Sequence, residues 1–230
     1  MKIDMHTHCL PVSRCAHHTA EQLPEIFKAA GLDAVVLTNH CSPHHCDSLS
    51  ADPSEQAKIF VETYHRAREA GERVGVRVLF GVEVKLINEP AKPEFLLYGI
   101  SEQTFLSSYP LYNLTQKELY DFCNQNDIIM VQSHPFRSEQ GYLPSDMRFV
   151  HGIEIYNAHP NFNPRFEEAE SLAREHSKIM TAGSDCHVKE QAGSAGMIFL
   201  SGIADQFKLR DRIKSGRQII FSRNGEIYTT

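Results

Sequence analysis

Six short segments of this chain set metal-ligand residues just past strand-like apolar runs. They are Asp4-Met5-His6-Thr7-His8, Thr38-Asn39-His40, Gly81-Val82-Glu83, Ser133-His134-Pro135, Asn157-Ala158-His159 and Ser184-Asp185-Cys186-His187. Neutral imidazole and carboxylate are ligands for Zn, Mn and Fe. A chain that delivers them from the ends of many strands builds one polar centre at one rim of a barrel or sheet. Residues two apart on a strand share a face, which groups His6 with His8, and Asp185 with His187 if the strand continues so far. His-x-His alone is common by chance. Joined to His40, Glu83, His134 and Asp-x-His it is far more specific, and the chemistry expected is that of a multinuclear metallohydrolase.

The elements that must position these residues alternate. Strands are expected at 2–8, 34–38, 77–86, 94–100, 128–132, 152–158, 178–181, 196–200 and 218–222. Thr19-x-x-Gln22 and Thr115-x-x-Glu118 read as capping boxes opening helices. Asp52-Pro53-Ser54-Glu55 places a cap, a first-turn Pro and an acidic residue before a helix that Gly71 would stop. Asn163-Pro164 opens another helix, and a last one at 203–215 is closed by Gly216. Strands alternating with helices predict parallel βαβ units, with the motifs at the C-terminal strand ends where α/β barrels carry their active sites. No linker, repeat or low-complexity segment interrupts residues 1–230, which are expected to form one domain.

The totals narrow the function. A chain of 230 residues, 41% hydrophobic and 23% charged, is long enough for a sizeable core and ordinary for a globular protein. It has no run of 18 apolar residues, so no membrane span is expected. No charged and apolar leader precedes the first motif, which predicts a cytoplasmic protein. The formal net charge of −6 disfavours nucleic acid as the main partner, whereas bound cations could still attract an anionic small molecule locally. The six cysteines are expected to be reduced thiols packed in loops, without zinc-ribbon spacing.

With these motifs in order, the chain resembles the polymerase and histidinol phosphatase (PHP) superfamily of metal-dependent phosphoesterases. The resemblance runs from Asp4-Met5-His6-Thr7-His8 to Ser184-Asp185-Cys186-His187. It implies a distorted (β/α)7 barrel carrying two or three divalent transition metals (Zn, Mn or Fe) at the C-terminal rim of its strands. It implies that His6, His8, Glu83 and Asp185 hold a first metal, and that Glu83 bridges to a second that also takes His134. A third would take His40, His187 and a ligand from the loop after the first strand. Cys15-Ala16-His17 looks like that loop motif, which selects His17, with His18 as its rival. The segment 94–100 looks like the strand that usually supplies a second-metal His, and Phe95 stands in that place. His159 is the alternative for the gap. Asn39 stands where the family often has Asp.

The resemblance implies hydrolysis of a small phosphate ester by metal-bound hydroxide, with Glu83 and Asp185 organising the metals. Arg137, just after His134-Pro135-Phe136, is expected to steady the phosphate because the guanidinium fork matches its oxygens, with a surface salt bridge as the alternative. Lys85 is a weaker version of the same idea. His44, His45, His65, His151 and His176 read as ordinary histidines of loops, helices and strand ends. An amidohydrolase-type hydrolase also begins with His-x-His after a first strand and is the alternative enzyme. A PHP-like module that binds metal without catalysis is the third reading.

Overall fold

The computed structural model describes residues 1–137, 143–161, 163, 165–216, 219–222, 225 and 227–229. Its strands are β1 (Lys2–Thr7), β2 (Ala34–Leu37), β3 (His40–Cys41), β4 (Arg77–Lys85), β5 (Glu94–Tyr98), β6 (Ile129–Gln132), β7 (Gly152–Asn157), β8 (Ile179–Gly183), β9 (Ala195–Ile198), β10 (Ile219–Ser222) and β11 (Ile227–Thr229). Its helices are α1 (Leu23–Ala29), α2 (Pro43–Cys46), α3 (Pro53–Val74), α4 (Glu102–Ser108), α5 (Gln116–Gln125), α6 (Phe166–Glu175) and α7 (Gln206–Lys214).

The sheet runs in the order β11-β10-β9-β1-β2-β4-β5-β6-β7-β8, with β3 paired to β4. It then bends back on itself. Past the end of β8, Cys186 bridges Thr7, and the His8 N–H donates to the Cys186 carbonyl at 3.2 Å. The result is a nearly closed α/β barrel. Gly183 permits the closure, because a Cβ there would lie 2.4 Å from His6 Cβ.

Two expectations of the sequence fail here. Not every neighbour is parallel: β5 is antiparallel to β4 and β6, and β9 is antiparallel to β1 and β10. The segment from Leu86 to Pro93, tied by Leu86 N–H to the Pro93 carbonyl at 3.0 Å, is too short for a crossover and folds back directly. Gly71 does not stop α3. It sits inside the helix, where a Cβ would meet the Val76 carbonyl oxygen at 2.3 Å, and Gly75 (φ +76°) caps the helix instead. The Asp52 cap holds as read, its carboxylate accepting from Ser54 N–H at 2.9 Å, and Thr115 and Glu118 form their capping box. The Thr19–Gln22 box also forms, but in the turn before α1. The expected helix opening at Asn163-Pro164 and the strand start at 218 fall partly outside the described residues.

The interior is continuous, from Ile3 and Met5 on β1 through Val35, Val36, Phe80, Val82, Leu96 and Met130 to Ile153 and Ala182. Among the described residues no helix is long and apolar enough to cross a membrane. A cavity of about 660 Å³ opens beside Asp33, Arg68, Arg77 and Gln206, at the N-terminal ends of the strands. The opposite rim carries a cluster of histidines and carboxylates.

Candidate metal centre

Five imidazoles converge on two carboxylates at the C-terminal ends of the strands. His6 and His8 come from β1 and its end, His40 from β3, Glu83 from β4, His134 from the turn after β6, and Asp185 and His187 from the turn after β8. His6, His8, Glu83, His134 and Asp185 are all nearly or wholly buried. Glu83 is the hub. Its Oε1 lies 3.2 Å from both His6 Nε2 and His134 Nε2, and its Oε2 lies 2.6 Å from His40 Nδ1 and 3.7 Å from His8 Nε2. Asp185 Oδ1 is 3.1 Å from His8 Nε2 and 3.5 Å from His6 Nε2. His134 (φ +30°) and Asp185 (φ +53°) both hold left-handed backbone, which costs a non-glycine residue about 1–2 kcal/mol and is a common feature of functional sites.

The surrounding hydrogen bonds assign the tautomers. His6 Nδ1–H donates to Glu154 Oε1 at 2.9 Å. His8 Nδ1–H donates to Ser13 Oγ at 3.3 Å, since that hydroxyl spends its own proton on Asn39 Oδ1 at 2.8 Å. His187 Nδ1–H donates to the Asp185 carbonyl at 2.8 Å. In each ring Nε2 is left facing the cluster. His6 Nε2 is buried with no properly oriented hydrogen-bond partner, His8 Nε2 faces a carboxylate oxygen, and His187 Nε2 faces His40 Nε2 at 3.4 Å. Lone pairs opposed at these distances repel unless a proton or a cation lies between them. The donor set, imidazole nitrogen with carboxylate oxygen, suits divalent transition ions. The residues fit such ions.

Electrostatics points the same way. Burial alone would depress His6, but Glu154, Asp185 and Glu83 around it raise it well above the usual histidine value. Burial is likewise overridden at His40, where Glu83 lifts the ring to about 10. His8 goes well down, through burial and the nearby His40 and His187. Asp185 stays well below the usual carboxylate range, because the charges of His6 and Arg137 outweigh its burial. The cluster therefore neutralises its carboxylates with histidine protons, which an incoming cation must displace.

Several expected positions are redrawn. His17 is exposed, with its backbone N–H on the His187 carbonyl at 2.8 Å, and its side chain lines an outer groove with Gln22, Glu25 and Lys189. His18 is buried beside that same groove. The loop residue brought to the cluster is Cys15, whose Sγ lies close to His40 and His45. Burial alone would raise this thiol, but hydrogen bonds with His187 and His40 bring it to about 6. Phe95 is not the gap it resembled. Register pairs Glu83 with Leu96, Val84 with Phe95 and Lys85 with Glu94, so Phe95 lies on the face away from Glu83 and packs in the core. Glu94 is the strand residue on the ligand face. Its Oε2 is 3.3 Å from His134 Nε2, and its Oε1 pairs with Lys85 Nζ at 2.9 Å.

His159 is half-buried on the rim with its ring 5.7 Å from that of His187, and Glu94 occupies the place beside His134. Arg137 Nη2 donates to Asp185 Oδ2 at 2.5 Å. His65 pairs with Glu102 away from the cluster, at 2.5 Å. Two site residues escaped the sequence reading, Glu94 and Glu154. Glu154 binds three groups, since its Oε2 also accepts from His134 N–H at 3.0 Å and Asn157 Nδ2 at 2.9 Å. The available signal was a carboxylate in the middle of an apolar strand, Gly152-Ile153-Glu154-Ile155.

Known proteins give the same frame. The chain matches the PHP-associated family over residues 164–218. A two-domain protein from Bacteroides vulgatus, containing a predicted PHP-like metal-dependent phosphoesterase, superposes with TM-score 0.68 at 18% identity, over 96% of this chain and 64% of that one. This chain thus spans about two thirds of that protein. An amidohydrolase from Chromobacterium violaceum superposes with TM-score 0.60 at 14% identity, over 96% of this chain and 98% of that one. The lesion-specific endonuclease EndoQ from Pyrococcus furiosus does so with TM-score 0.58 at 16% identity, over 96% and 57%. No curated protein matches. These likenesses show the fold, and the PHP-associated match covers residues 164–218 of the 230.

Proposed function

We propose that residues 1–230 form one PHP domain that hydrolyses a small phosphate ester with two or three divalent transition ions, Zn, Mn or Fe. One observation carries the reading: with Nδ1 of each ring engaged by Glu154, Ser13 or the Asp185 carbonyl, the Nε2 atoms of His6, His8 and His187 face Glu83, Asp185 and His40, where a cation could displace any proton between them. His6, His8, Glu83 and Asp185 would hold one ion, and Glu83, His134 and Glu94 a second. His40 and His187 would serve a third. Bound ions would polarise a phosphoryl oxygen and acidify a water.

The chain's own residues do the rest. Glu83 joins the positions because both of its oxygens face histidines. Glu154 locks the His6 tautomer and the His134 backbone. Arg137 keeps Asp185 ionised and oriented, so its first task is positioning. Lys85 neutralises Glu94 from the outer side. The net charge of −6 supports a small anion drawn by local cations over a nucleic acid needing a broad basic surface.

The test is metal analysis of the purified protein beside a panel of aryl and alkyl phosphates and amides. More than one ion per chain and phosphate-ester turnover are expected. Protein that comes metal-free from metal-rich medium and keeps full activity would sink the proposal, and so would turnover confined to amides.

A further inference from the structure

The loop after β1 departs from an all-nitrogen, all-oxygen rim. Ser13 N–H donates to the Cys9 carbonyl at 3.0 Å, Ala16 N–H to the Ser13 carbonyl at 2.9 Å, and His17 N–H to the His187 carbonyl at 2.8 Å. These bonds clamp the loop against His187 and leave His17 facing outward. Cys15 Sγ and ring nitrogens of His40 and His45 lie within 4.8 Å of one another, and His187 Nε2 lies 3.4 Å from His40 Nε2 in the same corner of the rim.

We propose that Cys15 supplies a thiolate donor beside His40 and His187, making the outermost cation position of the rim a sulfur-containing one. The proposal rests on the metal-centre reading above. His187 has its Nδ1 proton on the Asp185 carbonyl, so its Nε2 is free to donate a lone pair, 3.4 Å from His40 Nε2. His45 is excluded by the same logic. Its Nδ1 accepts from Arg14 N–H at 3.2 Å, so a neutral ring carries its proton on Nε2 and offers an N–H. His45 stacks on His40 with centroids 4.4 Å apart and holds that ring in place. The other five cysteines are buried, which leaves Cys15 as the solvent-reachable thiol.

On binding, the S–H proton leaves to solvent as the sulfur–metal bond forms. Thiolate is a soft ligand and favours Zn and its like over Mn or Mg, whereas Glu83, Glu94 and Asp185 give the inner positions harder oxygen donors. The rim therefore has two classes of site with different metal preference.

The test is titration of the metal-free full chain with cobalt(II), reading sulfur-to-metal charge-transfer absorption in the near ultraviolet and ions bound per chain. The wild type should develop the absorption. Cys15→Ser should lose it together with one ion, and His17→Ala should keep both. As a second measurement, iodoacetamide labelling of Cys15 should slow by about tenfold or more once zinc is bound, because a coordinated thiolate is a poor nucleophile. Unchanged absorption and stoichiometry in Cys15→Ser, loss of the absorption in His17→Ala, or labelling indifferent to zinc would each overturn the assignment while the inner ions stay in place. A wild type that binds no cobalt would overturn the metal-centre reading with it.

Discussion

Replacing Glu154 by Gln keeps the shape of the side chain, removes its charge and should weaken metal binding through His6. The carboxylate faces three donors: His6 Nδ1–H on Oε1, and His134 N–H and Asn157 Nδ2–H on Oε2. An amide has only one acceptor oxygen. If that oxygen faces His6, the new NH2 group confronts the His134 N–H and the Asn157 amide, stranding buried donors at a cost of about 1–3 kcal/mol. If the amide flips, its NH2 meets His6 Nδ1 and drives the ring into the other tautomer, with the proton on Nε2, where the ring cannot serve a cation. Loss of such an orienting partner typically lowers metal affinity about 10–100-fold, equivalent to about 1.4–2.8 kcal/mol. Competition against a chromophoric chelator measures the affinity, and denaturant unfolding with and without chelator separates it from stability. A variant that binds metal within twofold of wild type would refute the tautomer argument.

Four further outcomes are expected. His6→Ala and Asp185→Ala should abolish phosphatase activity and lower metal content, while His65→Ala and His176→Ala should do neither, checked by metal analysis and turnover. Phe95→His should add no ion and should destabilise the protein, since Phe95 is core on the face away from Glu83; unfolding and stoichiometry read both. Gly183→Ala should prevent closure of β8 on β1 at His6, seen as loss of soluble protein or of bound metal. His151 is depressed to about 4 by burial, with Lys178 and Lys214 adding to it. Its folded value lies below its unfolded one, so the native state should lose stability as pH falls from about 6.5 toward 4, and His151→Gln should flatten that part of the profile.

The legible part of the fold was what periodicity and caps control. Strands β1, β2, β4, β6 and β7 lie where apolar runs place them, and Asp52 and Thr115 open helices through local bonds. What was not legible depends on pairing across the sheet. The direction of β5 is set by a short return from Lys85 to Glu94, and that reversal also decides which side chain faces Glu83. The family resemblance selects Phe95, whereas the register selects Glu94. The site histidines announced themselves because imidazole at strand ends is unusual. Glu154 did not, because its role is visible only when β7 lies beside β1 and the turn after β6. The loop offered Cys15, His17 and His18 within four positions, and a backbone bond to His187 separates them.

The closure of β8 onto β1 also imposes an order of events on the growing chain. His8 and Asp185 are 177 residues apart, so β1 leaves the ribosome long before its partners at the rim exist. Contacts this distant in sequence make folding slow and leave strand edges open to wrong pairings meanwhile. Until Gly183 docks against His6, the histidines from the start of the chain are not joined to Asp185 and His187. On the proposed metal reading, ion uptake during refolding should report the closure of β8 onto β1.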